Sequence, residues 1–202
     1  ALSTFHTAVE MLEEHPALGA ATVEQMGLPT AVKSLVAEHH ERADGSGYPH
    51  RLKGLQLSPS ARVLALVNHY DNLCNTSHPA SALTPHEALA QLYARDQVRF
   101  DPPTLALFVR MMGIYPPGSV LQLNDGRYAL SVAVNASEPR KPHVLIHDPQ
   151  VPSEQATVVE LEHEPGLEVE RALKPSALPR AVFEYLSPRK RQSFFFEPTP
   201  LR

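Results

Sequence analysis

The sequence predicts an α+β protein: a helical domain, then a small antiparallel β-sheet or barrel-like module, then a helical tail. Three observations point there. Apolar residues recur at helical spacing as far as about residue 112, in segments opened by proline-containing start signals. From Gly113 the texture changes to short alternating runs with an Asp-Gly bend. Proline is abundant at 20 of 202 residues against nine glycines, a balance that suits short elements with rigid joints. The expected divisions are 1–113, 114–170 and 171–202.

The elements follow in order. Phe5, Val9 and Leu12 share one helical face, and His15-Pro16 is expected to break or restart that helix, because proline lacks the donor a helix interior needs. Residues 17–26 form a second short helix, with Gly27 as its C-cap. Pro29 opens another, carrying Val32, Leu35, Val36 and His39 on one side until Asp44-Gly45-Ser46-Gly47-Tyr48-Pro49 forces a loop. Ser58-Pro59-Ser60 starts a strongly apolar helix through Val63, Leu64, Leu66, Val67, Tyr70 and Leu73, expected to be buried. Thr84-Pro85-His86-Glu87 is a capping-box start, and Asp101-Pro102 opens the next helix. Val120–Leu123 and Tyr128–Val134 flank Asn124-Asp125-Gly126 as a hairpin. His143–Asp148 and Ala156–Leu161 are third and fourth strands, and from Leu173 the chain turns to helical turns and a tail.

Composition narrows the function classes. Charged residues are 20% and the net charge is -4, so no global basic field favours a nucleic-acid polymer or an anionic membrane. One cysteine, Cys74, excludes an internal disulfide and fits a reducing, cytoplasmic setting. No apolar run reaches the ~18–20 residues that span a bilayer. The chain opens at Ala1 in helix-like sequence, as expected of a fragment.

Eleven histidines are present, and most call for no special role. His6, His50, His69, His78, His86, His143, His147 and His163 read as surface or satisfied core residues, and nothing chemical clusters in the β module. His15 and the pair His39-His40 stand apart. Adjacent helical residues point about 100° apart, so the pair suits two ions of a cluster better than one tetrahedral ion. The pair runs into a loop whose glycines let backbone approach a ligand, with Tyr48 placed to stack on a base. On the residues alone, a ligand site competes with a capped helix and structural turn.

The segment His39-His40-Glu41-x-x-Asp44-Gly45-x-Gly47-Tyr48-Pro49 resembles the signature of the HD-GYP family. His15-Pro16-x-x-Gly19, Leu52-Lys53-Gly54 with Ala61-Arg62-Val63, and Phe100-Asp101-Pro102 resemble its flanking elements, in order, over residues 1–112. The resemblance implies an all-α HD-type domain that hydrolyses cyclic di-GMP to pGpG or GMP. It implies two or three divalent cations, iron or manganese, held by His15, His39, His40 and the residue at Asn68. Glu41 or Asp44, the candidate catalytic residues, would serve as an acid that steers the histidines, and Gly45, Gly47, Tyr48 and Pro49 would border the dinucleotide. A diguanylate cyclase domain or other signalling protein, or a second copy of the chain, are the macromolecular partners it implies.

Three departures set an alternative beside that reading. The His-Asp doublet of the family belongs upstream of His15, outside this chain. The family's A-D-x-x-D reads Val67-Asn68-His69-Tyr70-Asp71, and neutral Asn68 is a poorer ligand than aspartate, with His69 the nearest substitute. The family's S-D-R-P-Y-R reads Asn75 to Ser81 here, with Ser77 in place of an arginine clamp. The alternative is a catalytically degenerate scaffold, needing no cation, that acts as a sensor or interaction module.

Overall fold

A computed structural model describes residues 2–76 and 81–188, with side chains from residue 13 onward. Ser77 to Ala80 and the basic and triple-phenylalanine tail, Arg189–Arg191 and Phe194–Phe196, lie outside the described residues. The chain forms two compact units, residues 1–72 with 91–107, and residues 73–90 with 108–202. The helices are α1 (Leu2–Gln25), α2 (Thr30–Glu38), α3 (Pro59–Cys74), α4 (Pro85–Ala94), α5 (Pro102–Met112) and α6 (Arg180–Leu186). The strands are β1 (Val120–Leu123), β2 (Tyr128–Ala133), β3 (His143–Ile146), β4 (Val158–Glu160) and β5 (Val169–Leu173). The architecture is therefore mixed α+β, helices first, then an antiparallel sheet and a short helix.

In the first unit, α1 runs without a break through Pro16, which corrects the expected interruption. Proline removes one helical hydrogen bond, at a cost of about 3 kcal/mol or more. Here the Pro16 ring is fully buried, so apolar burial offsets part of that loss and the helix continues. The helix ends as expected at Gly27, with φ 68°. Leu28 N–H donates to the Val23 carbonyl and Gly27 N–H to the Glu24 carbonyl, a Schellman pair. α2 returns against α1, and Gly19 makes the approach close: a Cβ there would lie 2.8 Å from Val36 Cγ1.

The α3 helix is only half buried, a second correction. Ala61, Ala65, Leu66 and Tyr70 face the core with Leu57, Leu92, Phe100 and Leu105. Val63, Leu64 and Val67 are 49%, 37% and 39% exposed, because a helix that packs on one side leaves the other to solvent even where both are apolar. Asp101 caps α5 through Oδ2, which accepts from the Thr104 N–H at 3.1 Å and hydroxyl at 2.7 Å. Its Oδ1 accepts from Arg62 of α3 at 3.1 Å. These bonds tie two helix starts to one carboxylate.

In the second unit the capping box at α4 forms as expected. Glu87 N–H donates to Thr84 Oγ1, and Thr84 N–H donates to Glu87 Oε2. The sheet order is β4-β3-β2-β1-β5, antiparallel throughout, an open sheet with β4 and β5 at its edges. Gly126, at φ 86°, makes the β1–β2 bend. Alternation gives the sheet two apolar faces. Val120, Leu130, Leu145 and Leu173 meet Val182 and Leu186 of α6 on one side. Leu121, Leu123, Ala129, Val144 and Ile146 gather Leu161 and Leu167 on the other. β5 is a strand that the sequence pattern does not announce, and it crosses the division expected at residue 170.

Candidate metal centre

Two helices of the first unit position three imidazoles. His15 lies one turn before Gly19 on α1, and His39 and His40 follow the last turn of α2 after Val36. The Gly19–Val36 contact brings the two helices close enough for the rings to meet. His15 Nε2 lies 3.1 Å from His39 Nε2 and 3.1 Å from His40 Nε2. One ligand atom from each residue falls within 4.8 Å of the others. With metal–nitrogen bonds of ~2.0–2.1 Å, neighbouring ligands of one ion sit about 3.0–3.4 Å apart, which fits the closest spacings here.

Proton placement supports the same reading. His39 Nδ1 donates to the Val36 carbonyl at 2.7 Å, so its neutral ring leaves Nε2 with a bare lone pair turned toward His15. A ring nitrogen donating to a carbonyl is the usual way a metal-binding histidine is oriented. The Asn68 amide nitrogen lies 3.1 Å from His40 Nδ1 and 3.5 Å from the His39 carbonyl, an orientation assigned from its partners. So placed, Asn68 donates to His40 Nδ1 and leaves the proton of neutral His40 on Nε2. His15 Nε2 then faces one donor and one lone pair, and with the amide so placed only one of the two approaches is a hydrogen bond. Half a turn of the Asn68 amide puts its oxygen against His40 Nδ1–H and directs the His40 lone pair inward. A cation then satisfies all three rings. Burial, helped by the neighbouring His39, His15 and Arg42, pushes the His40 pKa down to about 4, so the ring is neutral and able to ligate at neutral pH.

The other predicted residues take distinct places. Glu41 is fully buried, and its two oxygens accept from the His50 N–H at 2.6 Å and the Leu52 N–H at 2.9 Å. Both its oxygens thus hold the chain just after the tyrosine loop. Asp44 is exposed, and its Oδ1 accepts from the Ser46 N–H and hydroxyl. Burial raises its pKa, but the Ser46 hydrogen bonds and the charges of Arg42 and Arg99 outweigh that and leave it lowered. Gly45, at φ 80°, turns the loop. Gly47 is buried where a Cβ would lie 2.5 Å from Glu41 Cα and from the His40 carbonyl oxygen. That approach lets Tyr48 fold back: its N–H donates to the His40 carbonyl, and its ring stacks on His40 at 4.7 Å between centroids. Tyr48 and Pro49 are half buried, so the tyrosine is less exposed than its loop position suggests.

His69 is not at the triad. Its Nε2 pairs with Asp96 Oδ2 at 3.0 Å and its ring lies against Phe100. Two features escape the sequence. Asn68 acts on His40 through its amide, which only the packing of α3 reveals. Glu38, at the end of α2, has Oε2 buried without a hydrogen-bond partner among the described residues, and burial together with nearby Glu41 raises its pKa.

A scan of known families matches residues 4–104 to the HD domain. Among curated proteins, a cyclic di-GMP phosphodiesterase of Pseudomonas aeruginosa is 30% identical over 137 residues, covering 67% of this chain and 33% of that protein. The cyclic di-GMP phosphodiesterase response regulator RpfG of Xanthomonas campestris pv. campestris is 34% identical over 104 residues, covering 50% of this chain and 28% of its own length. A cyclic di-GMP phosphodiesterase of Vibrio cholerae is 30% identical over 106 residues, covering 49% and 22%. The chain thus spans a third or less of the length of these relatives. Among the described residues no helix is long and apolar enough to cross a membrane. With half its length matched by the family model and its signature histidines gathered on α1 and just past the end of α2, this chain belongs to the HD domain family and carries the HD-GYP signature.

Proposed function

We propose that this chain supplies the histidine side of a metal-dependent phosphodiesterase that hydrolyses cyclic di-GMP, with iron or manganese as the resident cation. The observation that carries the reading is the convergence of His15, His39 and His40 Nε2 on one point. The relatives are named as cyclic di-GMP phosphodiesterases, which supports the same reaction here. A divalent cation held there would supply charge neutralisation at a phosphodiester and activation of water.

The chain's own residues do the rest. The Val36 carbonyl fixes the His39 ring, and the Asn68 amide, once turned so that its oxygen accepts from Nδ1–H, leaves His40 Nε2 free to ligate. Tyr48, packed on His40, holds that ring from the loop side and presents an aromatic edge beside the triad for a guanine base. Arg42 acts electrostatically on His40, Asp44 and Tyr48, so a fixed positive charge stands near where a phosphate would sit. Glu41 keeps the loop in place by binding two backbone donors, which leaves proton transfer to groups other than this carboxylate.

The test uses the full-length protein. Metal content is measured, then cyclic di-GMP turnover is followed by chromatography of pGpG and GMP, with and without chelator, in the natural sequence and in His39→Ala. Bound iron or manganese, with turnover lost in chelator and in the variant, is the expected result. A protein that binds no divalent metal, or whose turnover survives both treatments, overturns the proposal.

A further inference from the structure

By sequence, His143 and His163 are ordinary histidines of the β module, but the sheet brings them together with two carboxylates. β3 and β4 pair so that His143 lies directly opposite Glu160, which places their side chains on the same face. β4 then runs into a single turn, Leu161–His163, pinned by fully buried Leu161. That turn returns Glu162 and His163 to the same spot. Ligand atoms of His143, Glu160 and Glu162 all lie within 4.8 Å of one another. His163 adjoins them, with Nδ1 3.0 Å from Glu160 Oε2 and Nε2 3.9 Å from Glu162 Oε1.

The cluster is more than a pair of surface acids. Glu162 is half buried and held in place: its Oε2 accepts from Asn135 Nδ2 at 2.6 Å. Asn135 is 6% exposed and is locked in turn, its Oδ1 accepting from Ser137 N–H at 3.0 Å, Ser137 hydroxyl at 2.7 Å and Glu138 N–H at 3.0 Å. A buried amide that fixes one oxygen of a carboxylate leaves the other oxygen directed at a ligand, as outer partners of metal ligands do. No hydrogen bond or ion pair among the described residues engages the His143 ring.

We propose that His143, Glu160 and Glu162, joined by His163, form a divalent-cation site of the zinc class in the β module. Two imidazoles and two carboxylates match the nitrogen and oxygen ligands that zinc takes, and a cation removes the repulsion between the two carboxylates. Ligand atoms of one tetrahedral zinc lie about 3.3–3.5 Å apart, so exposed Glu160 and His163 close the set by small rotations. Bound there, the ion clips the edge strand β4 to β3 and to the turn that follows.

The test titrates zinc alone into the chain in which His15, His39 and His40 are each replaced by alanine, by calorimetry, with cobalt absorption as a second readout. One equivalent of zinc is expected, weakened by roughly tenfold or more in His143→Ala and in Glu162→Gln. No zinc bound, or an affinity that neither substitution changes, overturns the site. Should the triple replacement unfold, Glu162→Gln is made in the otherwise natural chain, with circular dichroism verifying the fold. There the zinc count must fall by one, and an unchanged count contradicts the proposal.

Discussion

Gly19 of α1 and Val36 of α2 meet so closely that a Cβ on Gly19 would lie 2.8 Å from Val36 Cγ1. His15 stands one turn from that contact on one helix, and His39 and His40 lie just past the end of the other, three and four residues beyond Val36. The glycine thus sets the spacing of the imidazoles. Gly19→Ala is expected to cost about 1–3 kcal/mol through overpacking. It also weakens metal binding, read by thermal melting and by manganese titration. Val36→Ala in the same chain should restore both. Failure of the second change to restore binding would separate the contact from the site.

Glu41 belongs to the signature motif, yet both its oxygens are spent on backbone donors. Glu41→Gln turns one acceptor into a donor facing an N–H. Stability should fall by about 1–3 kcal/mol, seen as a lower denaturant midpoint. Activity in the full-length protein should fall only as far as folding does. A variant of unchanged stability that has lost turnover would make Glu41 a participant in the chemistry.

In the amide orientation assigned from its partners, Asn68 donates to His40 Nδ1 and so holds the proton on the wrong nitrogen for ligation. Asn68→Asp replaces that donor by an acceptor, which stabilises the Nδ1–H tautomer and frees Nε2. Metal affinity should rise by roughly tenfold or more, measured by competition with a chelating dye. An unchanged or weaker affinity would show that the Asn68 amide does not limit the site.

Local signals in the sequence carried far. The Thr84–Glu87 capping box, the Gly27 helix end and the Asp125-Gly126 bend each depend on neighbours within a few residues, and each forms as read. The three histidines were legible through the resemblance, His39 and His40 in its long signature and His15 in the flanking His15-Pro16-x-x-Gly19, and the structure brings them together. What stayed hidden depends on partners distant in sequence. Pro16 remains in a helix because its ring is buried, and α3 exposes Val63 and Val67 because one face packs. β5 carries charges on its exposed positions and is a strand through its pairing with β1, some 50 residues earlier in the chain. The His143–Glu160 pairing is likewise a matter of register.

Asp101 predicts an acid dependence of stability. Hydrogen bonds from Thr104, aided by Arg62 and outweighing burial, hold its pKa below the usual carboxylate range. A carboxylate with a lowered folded pKa stabilises the protein above its unfolded pKa, near 4, and that contribution is lost as pH falls through the folded value. Asp101→Ala should cost about 1–2 kcal/mol at neutral pH through the lost helix cap. The gap between variant and natural chain should close in acid, as followed by urea titrations at several pH values. A gap that is constant with pH would contradict the assignment.

Diffraction from crystals grown with manganese, recorded to give an anomalous signal, addresses the centre of the account most directly. One peak bonded to Nε2 of His15, His39 and His40 is the predicted result. An ordered triad with no peak among the three nitrogens, or rings turned away from one another, would contradict it.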